Sequence, residues 1–249
     1  MDLALNGRTA LVTGGAKGIG ASIALGLARE GGAVAVVDRS APSGTADILR
    51  QLEAMGRPGR AYAADVRDHA AAARVVGEVV RDFGRLDILV SNAGMTADAM
   101  IWRMTETQWG DVLDVNLKGC FNYNQAAAAV FKEQKGGRIV NIASINGLRG
   151  KAGQANYAAS KGGIIAFSKT LARELGKFQV NVNVVAPGMV LTEMSRGLPP
   201  NVLEAALDET VLGRLATPED CANLVVFLCS DRACHITGEV IRVDGGQYI

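Results

Sequence analysis

The chain has 249 residues, of which 49% are hydrophobic and 20% are charged, and its formal net charge is +1. This length and composition fit one soluble domain with a sizeable core, and the small net charge argues against a nucleic-acid partner. Residues 1–7 lack a basic flank followed by an apolar signal core, and no apolar segment reaches the roughly 18 residues of a membrane span. The sequence therefore predicts a cytoplasmic protein that contacts neither nucleic acid nor membrane.

A glycine-rich turn follows the first predicted strand, residues 8–13, and precedes helical spacing over residues 21–30. Glycines let a backbone approach a pyrophosphate, whose charge suits the free N–H groups at a helix N-terminus. The spacing G-x-x-x-G-x-G differs from the commoner G-x-G-x-x-G fingerprint of dinucleotide sites, so a turn without a ligand is the alternative. The candidate cofactor-binding residues in this turn are Gly14, Lys17, Gly18, Ile19 and Gly20.

Asp38 ends the second predicted strand, residues 32–38. A carboxylate about 20 residues beyond such a turn can accept hydrogen bonds from an adenosine ribose. It would also repel a 2′-phosphate, which favours NAD over NADP. Arg39 and Lys17 argue the other way, because either could pair with that phosphate. We expect NAD, with NADP left open, and the alternative is that Asp38 is simply a solvated strand-end acid.

The rest of the chain alternates strands with helices, which predicts one domain, residues 1–249, built on a parallel sheet covered on both faces. Asn116 lies inside a predicted helix over residues 109–131, where its low propensity indicates a helix distortion or a buried hydrogen bond. Asp65 follows the third predicted strand and either receives the adenine amino group or caps the next helix. Residues 190–215 predict a flap that selects the substrate and excludes water.

The histidines and cysteines do not form a pattern typical of a metal site. His69 and His235 are far apart in the sequence, and the four cysteines lack metal-finger spacing. We therefore expect no bound metal, and free, mostly buried thiols.

Tyr157 and Lys161 lie four residues apart in a predicted helix that extends to about residue 176, so they share one helix face. A phenol alone titrates near about pH 10, and a neighbouring ammonium favours the phenolate. We therefore expect Lys161 to lower the pKa of Tyr157 and make it a usable acid and base. Ser144 ends the preceding strand and could hydrogen-bond the reacting oxygen. Most such Tyr-x-x-x-Lys pairs are surface neighbours, and only the glycine turn elsewhere in the chain makes this one significant.

Five motifs, in order, resemble the short-chain dehydrogenase/reductase family over nearly the whole chain. They are the turn from Thr13 to Gly20, Asn92-Ala93-Gly94, Asn116, Ser144 and the pair Tyr157 and Lys161. Within the family, the stretches 92–98, 153–157 and 183–188 are most similar to 3-oxoacyl-[acyl-carrier-protein] reductases. The resemblance implies a single-domain α/β Rossmann-type doubly wound fold, with a seven-stranded parallel sheet and helices on both faces. It also implies a homotetramer.

The resemblance implies roles for individual residues. Tyr157 would be the acid and base, Lys161 would lower its pKa and bind the nicotinamide ribose, and Ser144 would hold the substrate oxygen. Asn116 would complete a proton relay through water. The other implied cofactor positions are Asn92, Gly94, Asp65, Val66, Pro187, Gly188, Val190 and Thr192. The expected substrate contacts are Ser144, Asn146, Gln154 and Tyr157, in a mostly apolar pocket that also includes Met95, Ile145, Leu148 and Met189.

Two departures from the most similar members affect the expected substrate. Most of those members use NADPH, whereas Asp38 resembles the NAD-selective branch. Members that use a carrier protein present two basic docking positions; Lys135 keeps one, whereas Phe178 occupies the other, with Lys177 adjacent. Both departures favour a dehydrogenase that acts on a CoA thioester or on a small cyclic or other secondary alcohol.

The main hypothesis is therefore an NAD(H)-dependent enzyme that interconverts a secondary alcohol and a ketone. A 3-oxoacyl or 3-hydroxyacyl thioester is the expected substrate, and a small cyclic or other secondary alcohol is the alternative. A second hypothesis, from another class, is a cofactor-sensing scaffold without catalysis. The intact set of Asn116, Ser144, Tyr157 and Lys161 argues against a scaffold, which has no need of all four.

Overall fold

Seven parallel strands form the central sheet in the order β3-β2-β1-β4-β5-β6-β7, which confirms the predicted sheet. The structure, a computed structural model, describes residue 3 and residues 5–249, apart from the side chains of Met194 and Arg196. The strands are β1 Thr9–Thr13, β2 Ala33–Asp38, β3 Gly59–Ala63, β4 Ile88–Ser91, β5 Gly137–Ile142, β6 Val180–Pro187 and β7 Val240–Val243.

Helices connect successive strands and cover both faces of the sheet. They are α1 Gly18–Arg29, α2 Ala46–Ala54, α3 His69–Phe83, α4 Glu106–Leu113, α5 Gly119–Gln134, α6 Asn146–Arg149, α7 Ala155–Leu175, α8 Glu193–Arg196, α9 Pro200–Asp208 and α10 Pro218–Cys229. Buried residues of α1, α2 and α10 pack in one apolar cluster, and those of α3, α5 and α7 pack in another. The five inner strands are almost wholly buried, as in a parallel sheet covered on both faces, whereas the edge strands β3 and β7 are partly exposed.

The order of the strands creates a crevice at one edge of the sheet. Strand β1 pairs in parallel with β2 on one side and with β4 on the other, so successive connections leave β1 in opposite directions. In the register of the sheet, Thr13 lies opposite both Val37 and Ser91. The loops after these strands therefore meet at the carboxyl edge, where ligands bind in doubly wound folds.

A π-helical segment, Asp114–Lys118, interrupts the helix that the sequence predicted over residues 109–131. The segment separates α4 from α5 and contains Asn116, so the predicted helix distortion is confirmed. Such segments replace the regular hydrogen-bond ladder and often accompany functional sites.

Several predicted boundaries differ from the observed ones. The sequence predicts a fourth strand over residues 85–90, whereas β4 begins at Ile88, just after an ion pair of 2.6 Å between Arg85 and Asp87. Within the flap, the sequence predicts one short helix, over residues 201–207, whereas the structure has two, α8 and α9. Within the described part of the chain, no helix has the length and apolar character that crossing a bilayer requires.

A buried polar network joins the middle of the sheet to the helices on one face. The Asn124 amide on α5 donates to Ser91 Oγ and to Asn141 Oδ1, each at 2.9 Å. Asn141 on β5 in turn donates to Ser168 Oγ on α7 at 2.9 Å. All four side chains are buried, so each hydrogen bond satisfies a group that water cannot reach.

We expect Asn141→Leu to destabilise the protein, because it removes the buried amide that bonds to both Asn124 and Ser168. The expected loss in free energy of unfolding is about 2–4 kcal/mol. Urea unfolding followed by circular dichroism, at one fixed protein concentration, would measure it. Combining Asn141→Leu with Asn124→Leu should cost less than the sum of the single losses; strict additivity would contradict the network.

Candidate active site

A cleft of about 780 Å³ opens at the carboxyl edge of the sheet, where the loops after β1 and β4 diverge. Its size is typical of ligand-binding pockets. The cofactor and substrate positions predicted from the sequence line it, except Gly20 and the pocket residue Leu148, and three of the four predicted catalytic residues line it as well. Gly20 and Asn116 lie behind the cleft surface. The residues singled out in the sequence therefore cluster at this cleft, and Gly20 and Asn116 pack behind the residues that line it.

The glycine turn between β1 and α1 is closely packed and fits an anionic group. A Cβ at Gly20 would overlap the Gly14 carbonyl oxygen, and Gly18 has a φ of +57°, which favours glycine. Helix α1 begins at Gly18, and the residue before it, Lys17, makes no side-chain cap. The first N–H groups of α1 are thus available to a pyrophosphate, as the sequence predicted.

Asn92 connects the glycine turn to the loop after β4. Its side-chain nitrogen donates to the carbonyl oxygens of Thr13 and Gly14, at 3.1 and 3.0 Å. The Thr13 hydroxyl accepts the backbone N–H groups of Asn92 and Ala93 in return. Asn92 therefore fixes the two loops that border the middle of the cleft, and Gly94 follows on the cleft surface.

Asp38 ends β2 at the opposite end of the cleft from Tyr157. One carboxylate oxygen accepts both the backbone N–H and the hydroxyl of Ser40, at 2.9 and 2.7 Å. These bonds orient the carboxylate and still leave it able to accept a donor from the cleft. Asp38 thus lies where the ribose of a dinucleotide would be recognised.

The two cations that favoured NADP from the sequence each lie beside a carboxylate. Lys17 Nζ is 3.8 Å from Glu193 Oε2, and Arg39 Nη1 is 3.9 Å from Asp65 Oδ2. All except Asp65 are well exposed, so these pairs are weak. A 2′-phosphate near either cation would nevertheless also meet negative charge.

Asp65 does not cap the following helix, so that alternative was wrong. Asp68 is the residue that caps α3, since its carboxylate accepts the Ala71 N–H at 3.0 Å. The carboxylate of Asp65 instead binds the Arg67 guanidinium, with a shortest distance of 2.7 Å, and this hydrogen bond lowers the pKa of Asp65. The neighbouring Val66 is held from below, because Asn122 Nδ2 donates to its carbonyl oxygen at 2.8 Å.

Ser144, Tyr157 and Lys161 come together at the other end of the cleft. Helix α7 carries Tyr157 and Lys161 one turn apart, and Ser144 lies two residues beyond the end of β5. Lys161 is 3% exposed and its Nζ donates to the Ile142 carbonyl oxygen at 2.8 Å. The ammonium lies 5.6 Å from the centroid of the Tyr157 ring. The predicted triplet therefore shares one location.

The expected effect of Lys161 on the pKa of Tyr157 was wrong. Burial raises the pKa of Tyr157 to about 12, opposed by the hydrogen bond with Ser144 and reinforced by the charge of Asp98. Burial likewise lowers the pKa of Lys161 to about 8. The ammonium donates to the Ile142 carbonyl, and loss of contact with water is the largest influence on the pKa of each group.

Asn116 supports the cleft through its side chain. Its Oδ1 accepts the backbone N–H of Met95 at 2.8 Å, and its Nδ2 donates to the Met95 carbonyl and to Ser160 Oγ. The side chain is fully buried, and these bonds fix the loop after Gly94 against α7. Its role in a proton relay stays a prediction.

The loop after β6 borders the cleft near its middle. Pro187 accepts a hydrogen bond from the Ile145 N–H at 3.0 Å, which ties the loop to the turn that follows Ser144. Val190 pairs with Ala216 in an isolated bridge, and Thr192 caps α8. A Cβ at Gly18 would lie 3.6 Å from the Thr192 methyl group, so this loop reaches the glycine turn.

The substrate end of the cleft is more polar than the sequence predicted. Asn146 Nδ2 donates to Gln154 Oε1 at 2.9 Å, and Gln154 Nε2 donates to Asp98 Oδ2 at 2.7 Å. Sequence reasoning missed Asp98, Arg149 and Gln247 as lining residues, because each is polar and far from the others in the chain. Leu148, predicted to line the pocket, lies outside it and is 39% exposed.

The predicted flap contributes Leu198 and Val202 to the lining, while the side chain of Met194 lies outside the described part of the chain. Across the described residues, no three His, Cys, Asp or Glu side chains are grouped so that they could hold a metal ion. The polar groups that line the cleft are hydroxyls, amides, carboxylates, ammonium groups and guanidinium groups, which can bind ligands and, in part, transfer protons.

Comparison with known proteins identifies the family to which the chain belongs. A sequence model described as enoyl-(acyl carrier protein) reductase matches residues 14–247. The 3-oxoacyl-[acyl-carrier-protein] reductase FabG of Thermotoga maritima is 44% identical over 98% of this chain and 99% of its own length. The enzyme of that name from Escherichia coli K12 is 40% identical over 98% of both chains.

A solved structure of a similar protein has the same fold. The crystal structure of a candidate short-chain alcohol dehydrogenase from Sinorhizobium meliloti 1021 superposes with a TM-score of 0.95 and 38% identity, covering 99% of this chain and 98% of the other. The match extends over the sheet, the helices and the cleft-lining loops. The chain therefore belongs to the short-chain dehydrogenase/reductase family and is an oxidoreductase that acts on a CH–OH or keto group.

Proposed function

We propose that the protein is an NAD(H)-dependent dehydrogenase/reductase that interconverts a secondary alcohol and a ketone, with a 3-oxoacyl or 3-hydroxyacyl thioester as substrate. One observation carries the proposal: a single cleft has Ser144, Tyr157 and Lys161 at one end and Asp38 with the glycine turn at the other. A bound nicotinamide dinucleotide would supply or accept the hydride.

The residues of the chain would manage the accompanying proton. The Tyr157 phenol would donate a proton to the carbonyl oxygen and recover it in the reverse direction. The Ser144 hydroxyl, which already interacts with Tyr157, would donate a hydrogen bond to the same oxygen as it gains charge. Lys161, protonated below about pH 8, would stabilise the phenolate left by proton transfer and hydrogen-bond a ribose.

The neighbouring hydroxyl groups of Ser144 and Tyr157 favour reduction of a substrate carbonyl group over reduction of a carbon–carbon double bond. The family description names an enoyl reductase, whereas the curated relatives are named 3-oxoacyl reductases. An oxygen atom can accept hydrogen bonds from both Ser144 and Tyr157, whereas an alkene carbon cannot. We therefore infer that the keto group is the reacting group, as in the named relatives.

The names of the relatives support an acyl thioester, and the surface bears on whether the carrier is CoA or a protein. Lys135 is exposed at the end of α5, as a docking cation would be. The second docking position holds Phe178, and Lys177 Nζ lies 5.1 Å from the centroid of that ring. We infer that CoA thioesters are used at least as well as carrier-protein thioesters.

A small cyclic or other secondary alcohol is the second candidate substrate. The polar chain from Asn146 through Gln154 to Asp98 favours it, since an extended acyl group gains little from such a wall. We further propose a homotetramer, as the resemblance implied, and a location in the cytoplasm, as the N-terminal residues and the lack of a long apolar segment predicted. Exposed Ile101, Trp102 and Trp109 are apolar side chains that association would cover.

We expect the protein to oxidise NADH when acetoacetyl-CoA is added, and Tyr157→Phe to reduce kcat/KM by about a thousandfold. The affinity for NADH should change less than twofold, because the phenol takes part mainly in proton transfer. Absorbance at the NADH band and NADH fluorescence measure the two quantities. The screen should include NADPH, crotonyl-CoA and cyclic ketones.

Tyr123→Phe is the matched control for that substitution. The Tyr123 hydroxyl is buried and has no hydrogen-bond partner among the residues that the structure describes. Its removal should leave turnover unchanged. Turnover retained in Tyr157→Phe would refute the assignment, and no NADH loss with any ketone would favour the scaffold hypothesis.

We expect Asp38→Asn to lower the preference for NAD over NADP by about tenfold or more, because it removes the charge that repels a 2′-phosphate. Asparagine keeps an oxygen for Ser40, so the turn after β2 should persist. The ratio of kcat/KM values for the two cofactors measures the effect. Asp47→Asn, an exposed acid on α2 outside the cleft, is the control. A ratio unchanged by Asp38→Asn would place Asp38 outside the ribose pocket.

We expect the free energy of unfolding to depend on pH because the pKa of Lys161 is lowered in the folded protein. Between pH 8 and 10.5 the unfolded state holds a proton on Lys161 that the folded state has lost, so folding becomes more favourable as pH rises. Relative to Lys161→Met, the wild type should gain up to about 3 kcal/mol between pH 7.5 and 10.5. Urea unfolding at both pH values measures this. A difference between the two proteins that stays constant with pH would show that Lys161 titrates normally.

A further inference from the structure

Arg149 is the centre of a hydrogen-bond chain that the proposed chemistry does not use. It ends α6, five residues after Ser144, and each of its three guanidinium nitrogens donates to a protein acceptor. Nε donates to Asn146 Oδ1 at 3.2 Å, Nη1 to the Gln247 carbonyl oxygen at 3.2 Å, and Nη2 to Glu209 Oε2 at 2.9 Å. Each guanidinium nitrogen thus has a protein acceptor.

Glu209 and Gln247 complete the chain on the far side of Arg149. Gln247 Nε2 donates to the same Glu209 oxygen at 3.0 Å, and Gln247 Oε1 accepts the Met189 N–H at 2.9 Å. Glu209 follows α9 at the end of the flap, and Met189 belongs to the loop after β6. Near them, the Leu212 N–H donates to the Gly245 carbonyl oxygen at 3.0 Å.

The chain joins four segments that are distant in the sequence. They are the turn after β5, the loop after β6, the end of the flap and the C-terminal loop. On the catalytic side, the Asn146 N–H donates to Ser144 Oγ at 3.2 Å, so the chain reaches a proposed catalytic group. Asp98, Asn146, Arg149, Gln154, Met189 and Gln247 all line the cleft.

We propose that Arg149 is a positioning residue that fastens the flap and the C-terminal loop to the catalytic turn, and so closes the substrate end of the cleft. The proposal rests on the proposed function for its effect on turnover. Arg149 acts through its contacts, because each nitrogen already has an acceptor. Its bonds to Glu209 and Gln247 connect these two segments to the turn that contains Ser144.

The environment of the pair makes the tie effective. The Arg149 side chain is 20% exposed, so its ion pair with Glu209 is less screened than one on the open surface. Burial alone would raise the pKa of Glu209, but hydrogen bonds from Gln247 and Arg149 outweigh it and lower the pKa. Glu209 therefore stays charged at neutral pH. Without the tie, a substrate would have to order the flap itself and would bind more weakly.

The test uses Arg149→Met, which keeps the length of the side chain without its hydrogen bonds. We expect KM for acetoacetyl-CoA, or for the best ketone found, to rise about tenfold with kcat within threefold and NADH affinity unchanged. Arg149→Lys, which keeps the charge, should recover part of the loss. Hydrogen exchange should quicken at residues 209–213 and 245–248 and stay unchanged in β1 and β4.

Glu209→Gln and Arg74→Gln separate the possible outcomes. Glu209→Gln should raise KM in the same direction, and adding it to Arg149→Met should cost little more, because both break one tie. If Arg149→Met fails to fold, Glu209→Gln decides the question. Arg74→Gln removes an exposed pair with Glu78 on α3 and should change nothing.

Two results would overturn the proposal: unchanged exchange in the two segments, or faster exchange with unchanged KM. A fall in kcat without a rise in KM would also contradict a positioning role. The exchange measurement needs no substrate. If the wild type reduces no ketone, the proposed function fails while exchange still decides whether Arg149 holds the flap.

Discussion

The hydrogen bond from Lys161 Nζ to the Ile142 carbonyl oxygen is the interaction on which the rest of the site depends. Ile142 ends β5 and Lys161 lies on α7, so the bond fixes the helix over the carboxyl end of the strand. Tyr157 lies one turn before Lys161 on α7, and Ser144 lies two residues after Ile142. The bond therefore brings these two side chains close together. This arrangement buries the Lys161 ammonium, which is energetically unfavourable, and the lowered pKa of Lys161 reflects that unfavourable burial.

The same burial explains why the sequence identified the right residues but the wrong electrostatic balance. A spacing of four residues predicts that a phenol and an ammonium are neighbours, and Coulomb's law then predicts a lower phenol pKa. Desolvation depends on every element packed around the pair. It raises the pKa of the phenol and lowers that of the ammonium, whereas attraction between the two charges would do the reverse. No local spacing carries that information. Under the proposed function, Ser144 and the charge of Lys161 would both have to offset this desolvation for the phenol to act near neutral pH.

Local patterns predicted most of the fold and of the cofactor end of the cleft, but they could not choose between equivalent residues. The alternation of strands and helices, the glycine turn and the distortion at Asn116 all follow from neighbours in the sequence. Asp65 was a plausible cap for α3, but the cap depends on backbone geometry, and it is Asp68 that has the extended conformation of a cap. The role of Arg149 gave no local signal, because two of its three partners lie 60 and 98 residues away.

The two ends of the cleft are thus built in different ways. The cofactor end consists of loops that follow neighbouring strands, and backbone contacts such as those of Asn92 with Thr13 and Gly14 define it. Any sheet with this strand order would bring those loops together. The substrate end depends on side chains from Asp98 to Gln247, whose positions the sheet does not dictate. Under the proposed function, we therefore expect substitutions in that wall to change the substrate more than they change the fold.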